Sequence, residues 1–430
     1  MNVAAANSLT IVPDVSSDAV SSLLTLVPDF VFERLDPHNR QPQQTHVGFG
    51  SESNELYDAN ADEIFAALRA GLPSQSNTDF DLPPGAGGGV MAMIGYEALA
   101  GRALPAGETT PSAVILRPDI LVTIDHASDR AWVRTETASA DLDQITEALK
   151  GKGSLTRAPE PQDQLAWTPA ISEADFVAFT RQAQLDMGRG NPVEGAVLSV
   201  RMTTSGRRDP VTAYQRLREL NPSTYMFLVQ SRAIQAWGAT SLGLVRLEDG
   251  AFVAETDGAT HPYEDDAFVW TPSAKEISEY DVVVGALRDA LTPLTDQNGL
   301  TFASEMEERR FFNLAHLFAT FTGHLKPGCD ATDLVRALSP HGAAVGHHRQ
   351  PALDAIAQAE TTPRGPFAGT IGFFGSDGSV DASAFTRSMW QTEEGLFVHA
   401  GAKVVPASVP VEEYRECILK TLALRRCVEE

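Results

Sequence analysis

Short apolar runs of strand length recur along this chain between longer segments of helical period, and that alternation restricts the fold to the α+β class. Val90 to Ile94 is one such run, entered through Leu82, Pro83, Pro84 and a glycine-rich stretch and closed by Gly95, Tyr96 and Glu97. Ile120 to Ile124, the turn Asp125 to Asp129 and the return strand Ala131 to Arg134 read as a hairpin. Ala251 to Glu255 and Gly395 to Ala400 are further β-rich runs. Helices are expected from Ala140 to Lys150, from Ser172 to Asp186, and from Asp209-Pro210 up to the stop signal Asn221-Pro222. Asn77 to Asp81 reads as loop, and Gly151 to Pro169 reads as a polar linker. A boundary near residue 160 therefore divides an N-terminal sheet-forming region, 1–160, from a region 161–430.

Composition narrows the function. With 33 basic and 57 acidic residues the formal charge is −24, which repels phosphate backbones and argues against nucleic acid or an anionic membrane as partner. An anionic substrate would then need positive charge gathered locally, from an arginine, a lysine or a divalent metal. No run reaches the roughly 18 to 20 apolar residues that span a bilayer, and the first residues lack a signal-peptide pattern, so a cytoplasmic location is expected. The three cysteines, Cys329, Cys417 and Cys427, match no zinc or disulfide spacing and read as packing residues.

A series of segments then falls in one order. Asp209-Pro210, Tyr214, Leu217 and the run Asn221 to Phe227 resemble "DP..LY..LR..NPSPYMF"; Ala274 to Tyr280 resembles an "AKE..EH" helix; His316, Leu317, Thr322 and Gly323 resemble an "HL.S.V.G.L" helix. Arg364 to Phe374 is close to "RGPYAGAVGYF", Asp381 and Arg387 stand as "D...AIR", Ala400-Gly401-Ala402 as "AGAG", and Glu413, Tyr414, Glu416 and Lys420 as "EY.E...K". Gly88, Gly89, Ile94, Gly95, Tyr96 and Glu97 resemble "GG..GYLGYD". In this order and spacing the chain resembles the chorismate-using family that contains anthranilate synthase component I, aminodeoxychorismate synthase, isochorismate synthase and salicylate synthase, and it is most similar to the first.

The resemblance implies two large antiparallel sheets packed together and flanked by helices, with 161–430 as the chorismate-binding, catalytic-type region. It implies Mg²⁺ as cofactor, held by Glu279, Glu413 and Glu416. The spacing of the last two puts both carboxylates on one helix face, which taken alone would be an ordinary solvated surface. It places His316 in proton transfer or pyruvate loss, and it puts Tyr225, Arg387, Gly401 and Lys420 on the substrate, Arg387 through its bidentate fork; Lys403, a departure from the motif, is a further substrate-binding candidate. The implied function is a lyase or transferase of aromatic amino acid biosynthesis, performing Mg²⁺-dependent amination and elimination on chorismate or a close relative. Its ammonia would come from a separate glutamine amidotransferase subunit.

The departures are as informative. The family's "GASPELL.R" is here Gly238 to Arg246, with Leu242 in place of the general-acid glutamate. The arginines of "GT.PRG" are missing from Ala259, Thr260, His261, Pro262 and Tyr263, and the tyrosine of "RG.YAG" is Phe367. Gly195, or Glu194 with a shifted gap, stands where the family has a water-activating lysine or a glutamine, and Gly258 where a nucleophilic lysine would stand. In compensation, Lys403 replaces a glycine, and His347, His348 and Arg349 replace most of an "SGAPK" loop, so positive groups are candidates for relocation. An alternative therefore stays open: a catalytically impaired paralogue that binds a chorismate-like ligand in a regulatory role. Near the "LLES" strand that binds tryptophan in the anthranilate synthase branch, only Glu33 of Val31 to Leu35 matches.

Overall fold

A computed structural model describes residues 8–73, 82–105, 107–136, 141–151, 165–187, 195–262, 269–311 and 314–429. The loop expected at Asn77 to Asp81, most of the Gly151 to Pro169 linker, Glu194 and Tyr263 lie outside them.

Among the described residues the strands form two antiparallel sheets, of twelve and nine strands. The central path of the larger sheet runs Phe30–Leu35, Tyr225–Gln230, Gln235–Thr240, Ser388–Thr392, Gly395–Val404 and Gly195–Thr204. The smaller sheet runs from Thr301–Phe311 through Leu314–His324, Ala251–Pro262, Gly243–Glu248, Val380–Ala384 and Thr370–Gly375 to Gly89–Ile94. The expected hairpin is present as Ile120–Asp125 paired with Arg130–Thr135. Segments on either side of residue 160 share both sheets, because Phe30–Leu35 pairs with Tyr225–Gln230 and Gly89–Ile94 with Thr370–Gly375.

Both faces of each sheet are covered. Met91 and Met93 join Phe30, Phe32, Phe227 and Phe373 in the layer between the sheets. Val90, Ala92 and Ile94, the alternate residues of the same strand, pack outward against Ile64, Phe65 and Leu68 of helix Ala61–Gly71. On the other side, Val31, Met226 and Leu228 face Tyr214 and Leu217 of helix Pro210–Leu220. Burial on both faces explains why Val90 to Ile94 reads as a continuous apolar run, and each large side chain so buried contributes about 1.5 to 3 kcal/mol.

The helices begin where their caps dictate. The Asp209 side chain accepts from Thr212 N, with Pro210 at the first helical position. Ser273 and Glu276 form a capping box that starts Ala274–Leu291. The helix expected around His316 is instead the strand Leu314–His324. Ala315, Leu317, Ala319 and Phe321 alternate there, all facing the outer core, so the period is two and His316 points to the opposite side. Among the described residues no helix is long and apolar enough to cross a membrane.

Candidate active site

A cavity of about 150 Å³ opens where the two sheets part. Strands Gly195–Thr204 and Gly395–Val404 of the larger sheet form one wall, and Ala251–Pro262 and Leu314–His324 of the smaller sheet face them. Helices Ala274–Leu291 and Pro410–Glu429 close it, and every lining residue lies at or beyond Val197.

Eight of the nine residues singled out from the sequence meet here: Glu279, His316, Arg387, Gly401, Lys403, Glu413, Glu416 and Lys420. Gly401 is there for closeness of approach, since a Cβ would stand 2.7 Å from Val197 Cγ1. Arg387 lies between two strands with φ at 50°, a sparsely populated conformation for a side chain of this size. Burial pushes its pKa down, opposed by the Asp257 and Glu416 carboxylates. Lys420 Nζ donates to Gly401 O at 3.0 Å and pairs with Glu416 Oε1 at 2.6 Å.

Tyr225 is the exception. Its ring packs 5.8 Å from Phe32, and it lines a separate cavity with Arg34, Thr224 and Glu255. Burial raises its phenol pKa well above the ordinary value, with Asp381 adding to the effect. The two-residue alternation of its strand turns the side chain into the layer between the sheets, away from the site. His347, His348 and Arg349 are also elsewhere: they line a second cavity behind the single turn Gly342–Val345, whose Ala343 and Ala344 face the site. There the Arg349 guanidinium donates to the carbonyls of Ala337 and Ser339. Lys403 does reach the site, donating to Gly258 O at 3.0 Å and Glu279 O at 3.4 Å.

Two of the motifs turn out to be buttresses. Arg364, 1 % exposed, pairs with Glu360 at 2.7 Å and donates to Val197 O at 2.6 Å and Ala344 O at 3.2 Å, so one guanidinium ties two walls of the cavity together. Glu97 accepts from the backbone N–H groups of Arg364 at 2.7 Å and Gly365 at 3.0 Å. This is why Gly95-Tyr96-Glu97 and Arg364-Gly365-Pro366 occur together in one chain. Phe367, in the tyrosine's place, stacks on His399 at 4.4 Å, and the His399 ring bonds Ser199 Oγ at 2.9 Å.

Asp257, Thr260 and His399 are among the residues of the site that were not picked out from the sequence. Asp257 Oδ2 lies 3.5 Å from His316 Nδ1, and Thr260 Oγ1 lies 3.1 Å from the same nitrogen. A register shift lies between Asp257 and Thr260, where their strand pairs with the His316 strand, and both side chains line the cavity. The available signal was an acid next to a glycine, in a strand that also carries Glu255, Thr256 and His261. Burial lowers the His316 pKa to about 4; Asp257 opposes this, while Arg387 and Lys420 reinforce it.

Arg387, Lys403 and Lys420 face Asp257, Glu279, Glu413 and Glu416, which leaves the lining at a formal charge of −1. A dianion would be poorly held by such a wall alone, and a divalent cation would reverse its sign. Carboxylate oxygens are the donors Mg²⁺ takes, so the residues fit in kind. Among the described residues no three histidine, cysteine or acidic side chains stand close enough to hold a metal by themselves, so substrate and water oxygens would have to complete the shell.

Known proteins match this chain over most of its length. Anthranilate synthase component 1 of Streptomyces coelicolor is 29 % identical over 393 residues, which is 84 % of this chain and 76 % of that protein. The protein of the same name from Aquifex aeolicus is 26 % identical over 303 residues, 68 % of this chain and 61 % of its own length. The crystal structure of anthranilate synthase component I from Streptococcus pneumoniae superposes with a TM-score of 0.72 at 22 % identity, covering 99 % of this chain and 93 % of that one, and shares its fold. Since the sequence profile of chorismate binding enzymes spans residues 33–426, taking in the smaller sheet, most of the larger one and every residue of the cavity, the chain belongs to that family.

Proposed function

We propose that this chain carries out a Mg²⁺-dependent amination and elimination on chorismate or a close relative, in the cytoplasm, with ammonia delivered by a separate glutaminase subunit. The observation that carries this reading is the meeting of Glu279, Glu413 and Glu416 with Arg387, Lys403 and Lys420 around one cavity. Glu279 and Glu413 are buried and the other four are partly buried, and charges withdrawn from water are costly to keep unless they are paired or a ligand uses them. Glu279, Glu413 and Glu416 would hold the metal, which when bound supplies positive charge for a substrate carboxylate. Arg387 and Lys420 bind anionic oxygens of the substrate, and Arg387 does so as a planar fork. His316, neutral at physiological pH, moves a proton at an imidazole nitrogen.

Leu242 supports the second reading, a paralogue that binds without turnover. Its side chain is 5 % exposed, lines the cavity and has no proton to give. The deciding experiment is the product spectrum of purified protein given chorismate, Mg²⁺ and ammonium salt. An aminated aromatic product with pyruvate supports the first reading. Tight chorismate binding without product supports the second, and the absence of both refutes the two together.

A further inference from the structure

Among the groups facing the cavity, Asp257 and His399 are ionisable side chains to which neither the family motifs nor the metal site gives a task, and of the two Asp257 is the one beside His316. Its carboxylate stands 3.5 Å from His316 Nδ1, and Thr260 Oγ1 stands 3.1 Å from the same atom. The register shift between residues 257 and 260 is what puts both side chains on the Nδ1 edge of one ring. A regular strand would present only alternate residues to that face, and Asp257 and Thr260 are an odd number of positions apart.

We propose that Asp257 is a positioning residue for proton transfer at His316: its carboxylate, which can only accept, keeps the Nδ1 edge protonated, with the Thr260 hydroxyl oxygen accepting at the same edge, and this makes Nε2 the atom that accepts a proton from the bound substrate. The inference rests on the cavity being the site of reaction, and it adds a residue that the family resemblance does not supply.

The physical case is one of tautomers. A neutral imidazole carries one N–H, and the hydrogen bond made at one nitrogen determines which nitrogen holds it. Burial disfavours the doubly protonated ring here, and the other charged groups acting on it are Arg387, Lys420 and Glu416. A carboxylate beside Nδ1 attracts the proton to that edge, so the lone pair resides on Nε2. When the substrate gives up a proton, its bond to hydrogen breaks, the electron pair stays on the substrate, and the proton passes to Nε2. The imidazolium so formed is balanced by Asp257, which remains ionised throughout. At 3.5 Å the ion-pair geometry is long for a hydrogen bond, as is common before a ligand closes a site.

The test is nitrogen NMR of the full-length protein labelled with ¹⁵N-histidine, the His316 signals being assigned by their loss in His316→Gln. The wild type should show the Nδ1–H tautomer without any substrate. Asp257→Ala should shift the ring toward Nε2–H or a mixture, and Asp257→Glu should restore most of the original state. If Asp257→Ala does not fold, Asp257→Asn, of the same size but uncharged, serves in its place. A wild-type ring protonated on Nε2, or a tautomer unmoved by loss of the carboxylate in a folded variant, overturns the proposal. This readout needs no turnover, so it stands apart from the question of activity. Where wild-type turnover is measurable, Asp257→Ala should lower kcat by about 10² to 10⁴ and leave KM within about threefold. A change in KM alone also overturns it.

Discussion

Lys403 Nζ donates to the carbonyl oxygen of Gly258 at 3.0 Å, bridging from a strand of the larger sheet to a strand of the smaller one. Gly258 itself has no room for a side chain, because a Cβ there would stand 2.5 Å from Tyr280 Cα. The amine beside this stretch of backbone therefore comes from across the cavity. Burial lowers the Lys403 pKa, while Glu279 and Asp257 hold it up. If this lysine binds an anionic oxygen of the substrate, Lys403→Met should weaken chorismate binding by about 10- to 100-fold, the worth of one hydrogen bond to a charged group. Calorimetry with chorismate checks this, and an unchanged Kd in the folded variant counts against it.

Leu242 stands on the cavity wall where the family carries an acid. Restoring it with Leu242→Glu should give measurable turnover if the natural protein only binds, since proton donation is worth about 10² to 10⁴ in rate. If the natural protein already turns over chorismate, the same change should slow it, because another carboxylate would face Asp257, Glu413 and Glu416. Some stability is lost in either case, as an apolar contact is replaced by a desolvated acid. Rates within experimental error of wild type would remove Leu242 from the chemistry.

Metal binding should depend on substrate. Glu416 is engaged by Lys420 at 2.6 Å, so Mg²⁺ alone should bind weakly and a dicarboxylate should tighten it by supplying oxygens. Glu279→Gln and Glu416→Gln should each weaken Mg²⁺ binding in calorimetry with ligand present. Equal affinity in all three proteins would refute the assignment.

Acid should destabilise the fold through its buried histidines. Burial, with Arg34 nearby, pushes His46 down to about 3, and burial pushes His316 to about 4. Both folded-state values lie below the unfolded value of about 6.5, so the unfolded chain takes up protons first. Stability is therefore fully present above pH ~6.5 and falls as the pH drops toward those values, by up to about 1.4 kcal/mol per pH unit per histidine. His46 is outside the cavity, stacked on Phe373 at 4.0 Å and bonded to Thr123 Oγ1 at 3.1 Å. His46→Gln should accordingly flatten the fall in melting temperature between pH 7 and pH 5, and an identical slope would show that His46 is not a source of the acid sensitivity.

Tryptophan should not bind as an effector. Glu33, the one match to the family's effector strand, is bonded to Tyr214 Oη at 2.5 Å and Arg218 at 2.7 Å, on the helix side of the sheet. Its neighbour Arg34 is paired with Asp381 at 2.7 Å beside the Tyr225 cavity. A thermal shift of several degrees with millimolar tryptophan would disprove this.

By itself the sequence determined the local features and the chemical inventory of the site. The caps at Asp209 and Ser273, the hairpin around Asp125 to Asp129 and the pairing of Glu413 with Glu416 on one helix depend on neighbours a few residues apart, and short-range spacing carries that information. The ordered motifs also identified Arg387 and Lys420, and a departure from them identified Lys403, as cations that meet the acidic residues. What only the tertiary structure decided is which way side chains point once strands pair. His316 occupies a strand, Tyr225 turns into the layer between the sheets, His347 and His348 fall behind the turn Gly342–Val345, and a register shift brings Asp257 to the imidazole. A strand's facing is set by the partner it pairs with and by which layers cover its two faces, and a slip of one residue reverses every side chain along it. Those partners lie far apart in the chain, as with Gly89–Ile94 and Thr370–Gly375, and no local pattern encodes them.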